Sequence, residues 1–151
     1  MNRVDFSAEE VPLPGWKGRA KSFILKVLNY LGRTNWDLSV LFCGDNYIKA
    51  LNAKYRLKDE ATDVLSFVLG GTVEDRKGGV RCVPGDIVVS LETLEKNAAF
   101  FGVTADEELR RLLVHGILHL DGKDHKTNEP GEPMLALQET ILAHLAGERI
   151  L

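Results

Sequence analysis

The stretch His115-Gly-Ile-Leu-His-Leu-Asp-Gly-Lys-Asp-His125 holds three of the chain's four histidines within eleven positions. His115 and His119 are four residues apart, so on a helix they project from one face about one turn apart. Two imidazoles so placed can converge on one ion at ~2.0–2.1 Å, the usual zinc–nitrogen distance. Gly122 tolerates the left-handed turn that ends such a helix, and it lets the chain swing His125 back toward the same ion. Three protein ligands with a fourth position open is the pattern of a catalytic zinc site, whereas structural sites are closed by four. Imidazoles also suit nickel, cobalt or iron, so the chemistry selects a divalent transition metal with zinc foremost.

The spacing matches the H-x-x-x-H-x-x-G-x-x-H framework of the metzincin metalloproteases, so a zincin-like helix is expected to carry the site. One position departs from it. Those proteases carry glutamate as general base after the first histidine, and Gly116 stands there. The ligand spacing survives, but the peptidase chemistry does not follow from it.

Around this block the hydrophobic pattern predicts an α+β fold, a small mixed sheet of about four strands packed against helices. Arg3–Phe6 reads as an edge strand, residues 16–31 as a helix with Phe23, Ile24, Val27, Leu28 and Leu31 on one face, and Leu38, Val40 and Phe42 as alternate positions of a strand. Asp45 is expected to cap a helix carrying Ile48, Leu51 and Tyr55. Val64–Leu69 reads as a buried strand, residues 70–79 as a flexible charged tip, and Val80–Val83 with Asp86–Ser90 as two strands or one interrupted by Pro84-Gly85. A helix is expected from Ser90 to Gly102. Thr104, with Glu107 three residues on, opens the helix that holds the histidines, and Leu109, Leu112, Leu113, Ile117 and Leu120 mark its core face. A last helix is expected from about Pro133 to Ala146.

With 151 residues and no linker or repeat, a single domain spanning 1–151 is expected. A net charge of −3 argues against a protein that coats nucleic acid broadly, but a local basic patch is compatible with it. No apolar run is long enough to span a membrane and no signal peptide is visible, so the cytoplasm is the expected compartment. Cys43 and Cys82 read as reduced core residues.

Beyond the histidines, Lys49, Lys54, Arg56 and Lys58 form the densest cationic cluster. Arg56 falls where a helix gives way to a strand, and its guanidinium suits bidentate phosphate contact. Lys54 and Lys58 are weaker candidates for RNA contact, as are Tyr55 and the pair Arg110 and Arg111, which are expected to face solvent. Asp121 and Asp124 flank the loop and could each orient a histidine through its second nitrogen or accept a proton. His144 is expected to be no ligand.

These residues resemble the YbeY family of bacterial rRNA maturation factors, described as metal-dependent endoribonucleases. The resemblance runs from about Leu38 to the C-terminal helix. It rests on LNAKYR with TDVLSF (Leu51–Phe67), PGDIVVS (Pro84–Ser90), the histidine block with its Gly116, and LALQETIL in the last helix. It implies an α+β fold, zinc on His115, His119 and His125, and a functionally needed arginine at Arg56, so that Arg56 and His115 are the catalytic candidates. It also implies cleavage of single-stranded RNA, maturation of the 16S rRNA 3′ end and ribosome quality control. The partners implied are ribosomal RNA, the small ribosomal subunit, and a small-subunit protein or assembly GTPase. Three positions depart from the family pattern. Asp121 stands at a usually apolar position, Lys123 at a usually aromatic one, and Val68 at a usual proline. Two other classes stay open: a non-catalytic, metal-stabilised assembly or RNA-binding factor, and a metalloprotease-like hydrolase.

Overall fold

The computed structural model describes residues 1–151. Its elements in chain order are β1 (Arg3–Glu9), α1 (Lys17–Tyr30), β2 (Trp36–Cys43), α2 (Asp45–Arg56), β3 (Val64–Glu74), β4 (Val80–Ser90), α3 (Leu91–Phe101), α4 (Ala105–Leu120) and α5 (Pro133–His144). Four strands form one mixed sheet in the order β1-β2-β4-β3. β1 and β4 both run parallel to β2, whereas β3 pairs antiparallel with β4 as a hairpin. The fold is α+β, as the patterning predicts.

The alternation along the strands decides what each face meets. Leu38, Val40 and Phe42 of β2 share a face with Ile87 and Val89 of β4, and all five are buried under α1, α4 and α5. From α1 this core takes Phe23, Ile24, Val27 and Leu28, and from α4 it takes Leu109, Leu113, Ile117 and Leu118. Each such side chain contributes roughly 1.5–3 kcal/mol by leaving water. The opposite face carries Leu65, Val88 and Cys43, covered over part of its area by Ile48 of α2.

Gly116 explains how closely α4 lies on the sheet. A Cβ built there would sit 3.0–3.1 Å from three side-chain atoms of Ile87, tighter than ordinary van der Waals contact. The glycine therefore lets the histidine helix settle on β4. Ser66 of β3 pairs with Ile87, so the same contact brings the β3 edge alongside the histidine face of α4.

Two expectations for the β3–β4 hairpin are decided by the structure. Residues 70–79 are not one flexible tip, because β3 continues to Glu74 and β4 begins at Val80, leaving a short turn between them. The far half of β3 is exposed and is held by its pairing with β4, so it lacks the alternation that marks a strand in sequence. Pro84-Gly85 does not split β4; the irregularity is absorbed as a register shift opposite Val68–Gly71. Gly85 is required there, since a Cβ would meet the Phe67 carbonyl oxygen at 1.9 Å.

Asp45 is the first residue of α2 rather than its N-cap, which is Gly44. The amides at that end are satisfied from elsewhere, Asp45 N–H donating to Glu92 at 3.0 Å and Tyr47 N–H to Glu10 at 2.6 Å. The Asp45 carboxylate accepts instead from Ser90, Thr93 and Lys96. Burial alone would raise its pKa, but the hydrogen bonds from Lys96, Thr93 and Ser90 outweigh that and hold it at about 2. The Ser90 hydroxyl caps α3 by accepting from Thr93 N–H at 3.3 Å, and Thr104 caps α4 by accepting from Glu107 N–H at 3.1 Å. Cys43 and Cys82 are both free thiols; burial, aided by the charges of Glu10 and Asp45, pushes Cys43 up to about 12. No helix is long and apolar enough to cross a membrane.

Candidate metal centre

The C-terminal half of α4 presents His115 and His119 at the edge of the core, and the chain then turns through Gly122 at φ +88°. That turn returns His125 to the other two rings, with its centroid 5.2 Å from that of His115 and 5.5 Å from that of His119. One ligand atom from each residue lies within 4.8 Å of the others. The Nε2 atoms of His115 and His119 are 3.1 Å apart. Two ligands on a tetrahedral ion at ~2.0–2.1 Å would be separated by about 3.4 Å, so the spacing fits an ion between them.

The remaining nitrogens strengthen that fit. His115 Nδ1 lies 2.7 Å from Gln138 Oε1, His119 Nδ1 lies 3.2 Å from the Lys123 carbonyl oxygen, and His125 Nδ1 lies 2.8 Å from the Thr127 carbonyl oxygen. An oxygen acceptor at each Nδ1 assigns the proton there and leaves the Nε2 lone pairs free. Burial lowers the pKa of His115 and of His119, and neighbouring imidazoles lower both further. Both rings are therefore neutral at neutral pH, the form a metal requires. Close lone pairs repel one another in an apolar edge, and a cation removes that repulsion.

A cavity of about 570 Å³ opens beside these rings, lined by His115, His119, Arg56, Asp63, Ser66 and Asp124 among others. Arg56 ends α2 and reaches the cavity from the far wall. One of its Nη2 protons goes to the Ser66 carbonyl oxygen at 2.7 Å, and its guanidinium lies over the Phe67 ring at 5.5 Å. The other guanidinium donors stay available to an anion. Asp63 Oδ2 accepts from Asn97 at 3.2 Å, and its Oδ1 accepts from Val64 N–H at 2.8 Å.

The loop acids take different places from those expected. Asp121 does not meet a histidine: its carboxylate accepts from Arg33 at 2.6 Å and from Lys123 at 2.6 Å. Burial would raise its pKa, but the hydrogen bonds from Arg33 and Lys123 lower it instead. The two departures at positions 121 and 123 thus form an ion pair with each other. Asp124 comes within 4.0 Å of His119 Nδ1, outside hydrogen-bond range, and accepts from His125 N–H at 2.8 Å. Lys54 lies over the Tyr55 ring at 5.0 Å, and Lys58 lines a smaller cavity behind Arg56. Arg110 and Arg111 do not simply face solvent, since they pair with Asp106 and Glu139. His144 stands apart, tilted against Tyr30 at 5.0 Å.

Gln138 is the residue that sequence reasoning missed. It lies on α5 and reaches His115 across 23 positions of chain. Nothing in the sequence sets it apart, because Glu139 and Thr140 beside it are polar as well.

Comparison with known proteins assigns this arrangement to a family. The family model described as Endoribonuclease YbeY matches residues 5–146. The chain belongs to the YbeY endoribonuclease family. Named Endoribonuclease YbeY, a Treponema pallidum protein is 46% identical over 95% of this chain and 89% of its own length. A Treponema denticola protein of the same name is 51% identical over 82% of this chain and 80% of its own. A Thermotoga maritima protein solved in solution superposes with a TM-score of 0.60 at 28% identity, covering 96% of this chain and 90% of the other. As a YbeY-family member the chain is an RNA-cleaving hydrolase, and RNA is its substrate. Gly116 agrees with that chemistry. Packed on Ile87, position 116 carries no carboxylate of the kind a zincin peptidase uses as base.

Proposed function

We propose that the protein is a zinc-dependent, single-strand-specific endoribonuclease that matures the 3′ end of 16S rRNA and serves ribosome quality control. One observation carries the reading: three imidazoles with engaged Nδ1 atoms bring one ligand nitrogen each within 4.8 Å of the others, the Nε2 atoms of His115 and His119 lying 3.1 Å apart, and the cavity beside them also holds Arg56. His115, His119 and His125 would hold the ion. Bound there, zinc supplies Lewis-acid polarisation of a phosphoryl oxygen.

The chain's own groups account for the rest. Gln138, through His115 Nδ1, fixes that ring against rotation. Arg56, anchored by the Ser66 carbonyl oxygen and the Phe67 ring, directs its free donors at the phosphodiester and stabilises the charge that grows on it during displacement. Because that anchor is preformed, little reorganisation accompanies the reaction. Lys54 and Lys58 add positive potential along the approach. An A-form duplex is stiff, whereas a single strand can bend its phosphate into a recessed cavity, which supports single-strand specificity. The partners of this reading are ribosomal RNA and the small ribosomal subunit, with a small-subunit protein or an assembly GTPase, in the cytoplasm.

The test is cleavage of a single-stranded ribosomal 3′-end fragment, and of the same sequence annealed to its complement, by protein free of other nucleases. The parent cuts the single strand, chelation abolishes the cut, and His115→Ala and Arg56→Ala each lose on the order of a hundredfold or more in rate. Variants that cleave as fast as the parent overturn the site assignment. Binding without turnover by the parent assigns the chain to the assembly-factor class instead.

A further inference from the structure

The sheet face opposite the main core is only partly covered. α2 shields one end of it, over Cys43, Leu65 and Val88. Beyond that cover lies an open groove of about 680 Å³, lined by Tyr47, Leu51 and Tyr55 of α2 and by Phe67, Val68 and Leu69 of β3. Tyr55 is 55% exposed, Val68 60% and Leu69 66%, so this apolar surface has no cover within the chain. Tyr55 and Phe67 meet edge to face with centroids 5.3 Å apart. Ser39 and Asp86, neighbours across β2 and β4, set polar groups among the lining residues.

The groove is continuous with the site. Val68 lines both it and the cavity beside His115 and His119. Arg56 marks the boundary, lining that cavity while lying over the Phe67 ring. Its rim is cationic, with Lys54 over the Tyr55 ring and Arg56 over the Phe67 ring. An apolar protein partner has no need of such a rim. A single nucleic-acid strand does, because each flat base comes with a phosphate attached.

Resting on the RNA-cleaving reading above, we propose that this groove seats one unpaired nucleobase of the substrate, next to the phosphodiester held at Arg56. Tyr55 and Phe67 supply the aromatic surface on which the base stacks, while Ser39 and Asp86 offer hydrogen-bond partners to its edge. Stacking tolerates any base, and the polar pair adds a preference among them. A paired base cannot enter, so the groove selects single strands independently of the cavity.

The test uses a short oligouridylate carrying 2-aminopurine riboside at successive positions, and matched strands with one abasic ribose at each. The parent quenches 2-aminopurine at one position. An abasic residue there weakens binding and raises KM on the order of tenfold, with kcat changed far less. Tyr55→Ala, with an unchanged melting temperature, abolishes the quenching and binds intact and abasic strands equally. Tyr55→Phe restores both effects. A parent that cleaves RNA but is indifferent to the abasic position overturns the base seat alone and leaves the groove to a protein partner. Tyr55→Ala that still discriminates overturns it as well. A parent that neither binds nor cleaves any strand overturns the RNA reading together with it.

Discussion

Replacing Gln138 by leucine removes the acceptor 2.7 Å from His115 Nδ1 and keeps the volume of a side chain that is 6% exposed. His115 must then either leave its Nδ1–H unsatisfied or rotate, and rotation carries Nε2 away from His119 and His125. An unsatisfied donor in such a place costs about 1–3 kcal/mol. Loss of an orienting partner of a metal-bound histidine lowers metal affinity by about 10–100-fold, or ~1.4–2.8 kcal/mol. The two routes give overlapping ranges. Competition for zinc with a chromophoric chelator at pH 7.5 reads the loss directly. Gln138→Leu is expected to fall in their overlap, and Gln138→Glu, which keeps an acceptor oxygen, to match or exceed the parent. A leucine variant that binds zinc as tightly as the parent refutes the reasoning that α5 sets the ring.

Gly116→Ala places a methyl 3.0–3.1 Å from Ile87 and is expected to destabilise by about 1–3 kcal/mol in urea unfolding, with Ile87→Val recovering part of the loss. Acidification of the metal-free protein gives a further check. Burial lowers the pKa of His115 and His119 below the unfolded value of 6.5, so the unfolded state takes up protons first. Their contribution to stability is fully present above pH 6.5 and is lost as pH falls through 6.5 toward the lowered folded values. The urea midpoint is expected to drop between pH 7.5 and 5.5, and His119→Gln to flatten that drop. An unchanged slope contradicts the burial of those rings.

The local parts of this account were legible in the sequence. His115, His119, Gly122 and His125 sit within eleven positions, so helix geometry and one turn suffice to bring them together. The buried faces of α1 and α4 follow from periodicity in the same way. What escaped depends on distant chain. Gln138 meets His115 from another helix, and nothing near either residue signals the pairing. Asp121 looks like an orienting acid beside a ligand, yet Arg33, 88 positions away, draws it off the histidines. The second half of β3 has too much glycine and too little alternation to read as a strand, and only its partner β4 makes it one. Asp45 carries the residue type of a cap, but Glu10 and Glu92 supply the acceptors for that end of α2.

The most direct measurement is a crystal structure of the protein grown with zinc. One ion is expected on the Nε2 atoms of His115, His119 and His125, each at ~2.0–2.1 Å, with its remaining position facing Arg56 and Ser66 and taken by no side chain. An ion closed by a fourth protein ligand such as Asp124, or three rings turned apart with zinc bound elsewhere, would contradict the account.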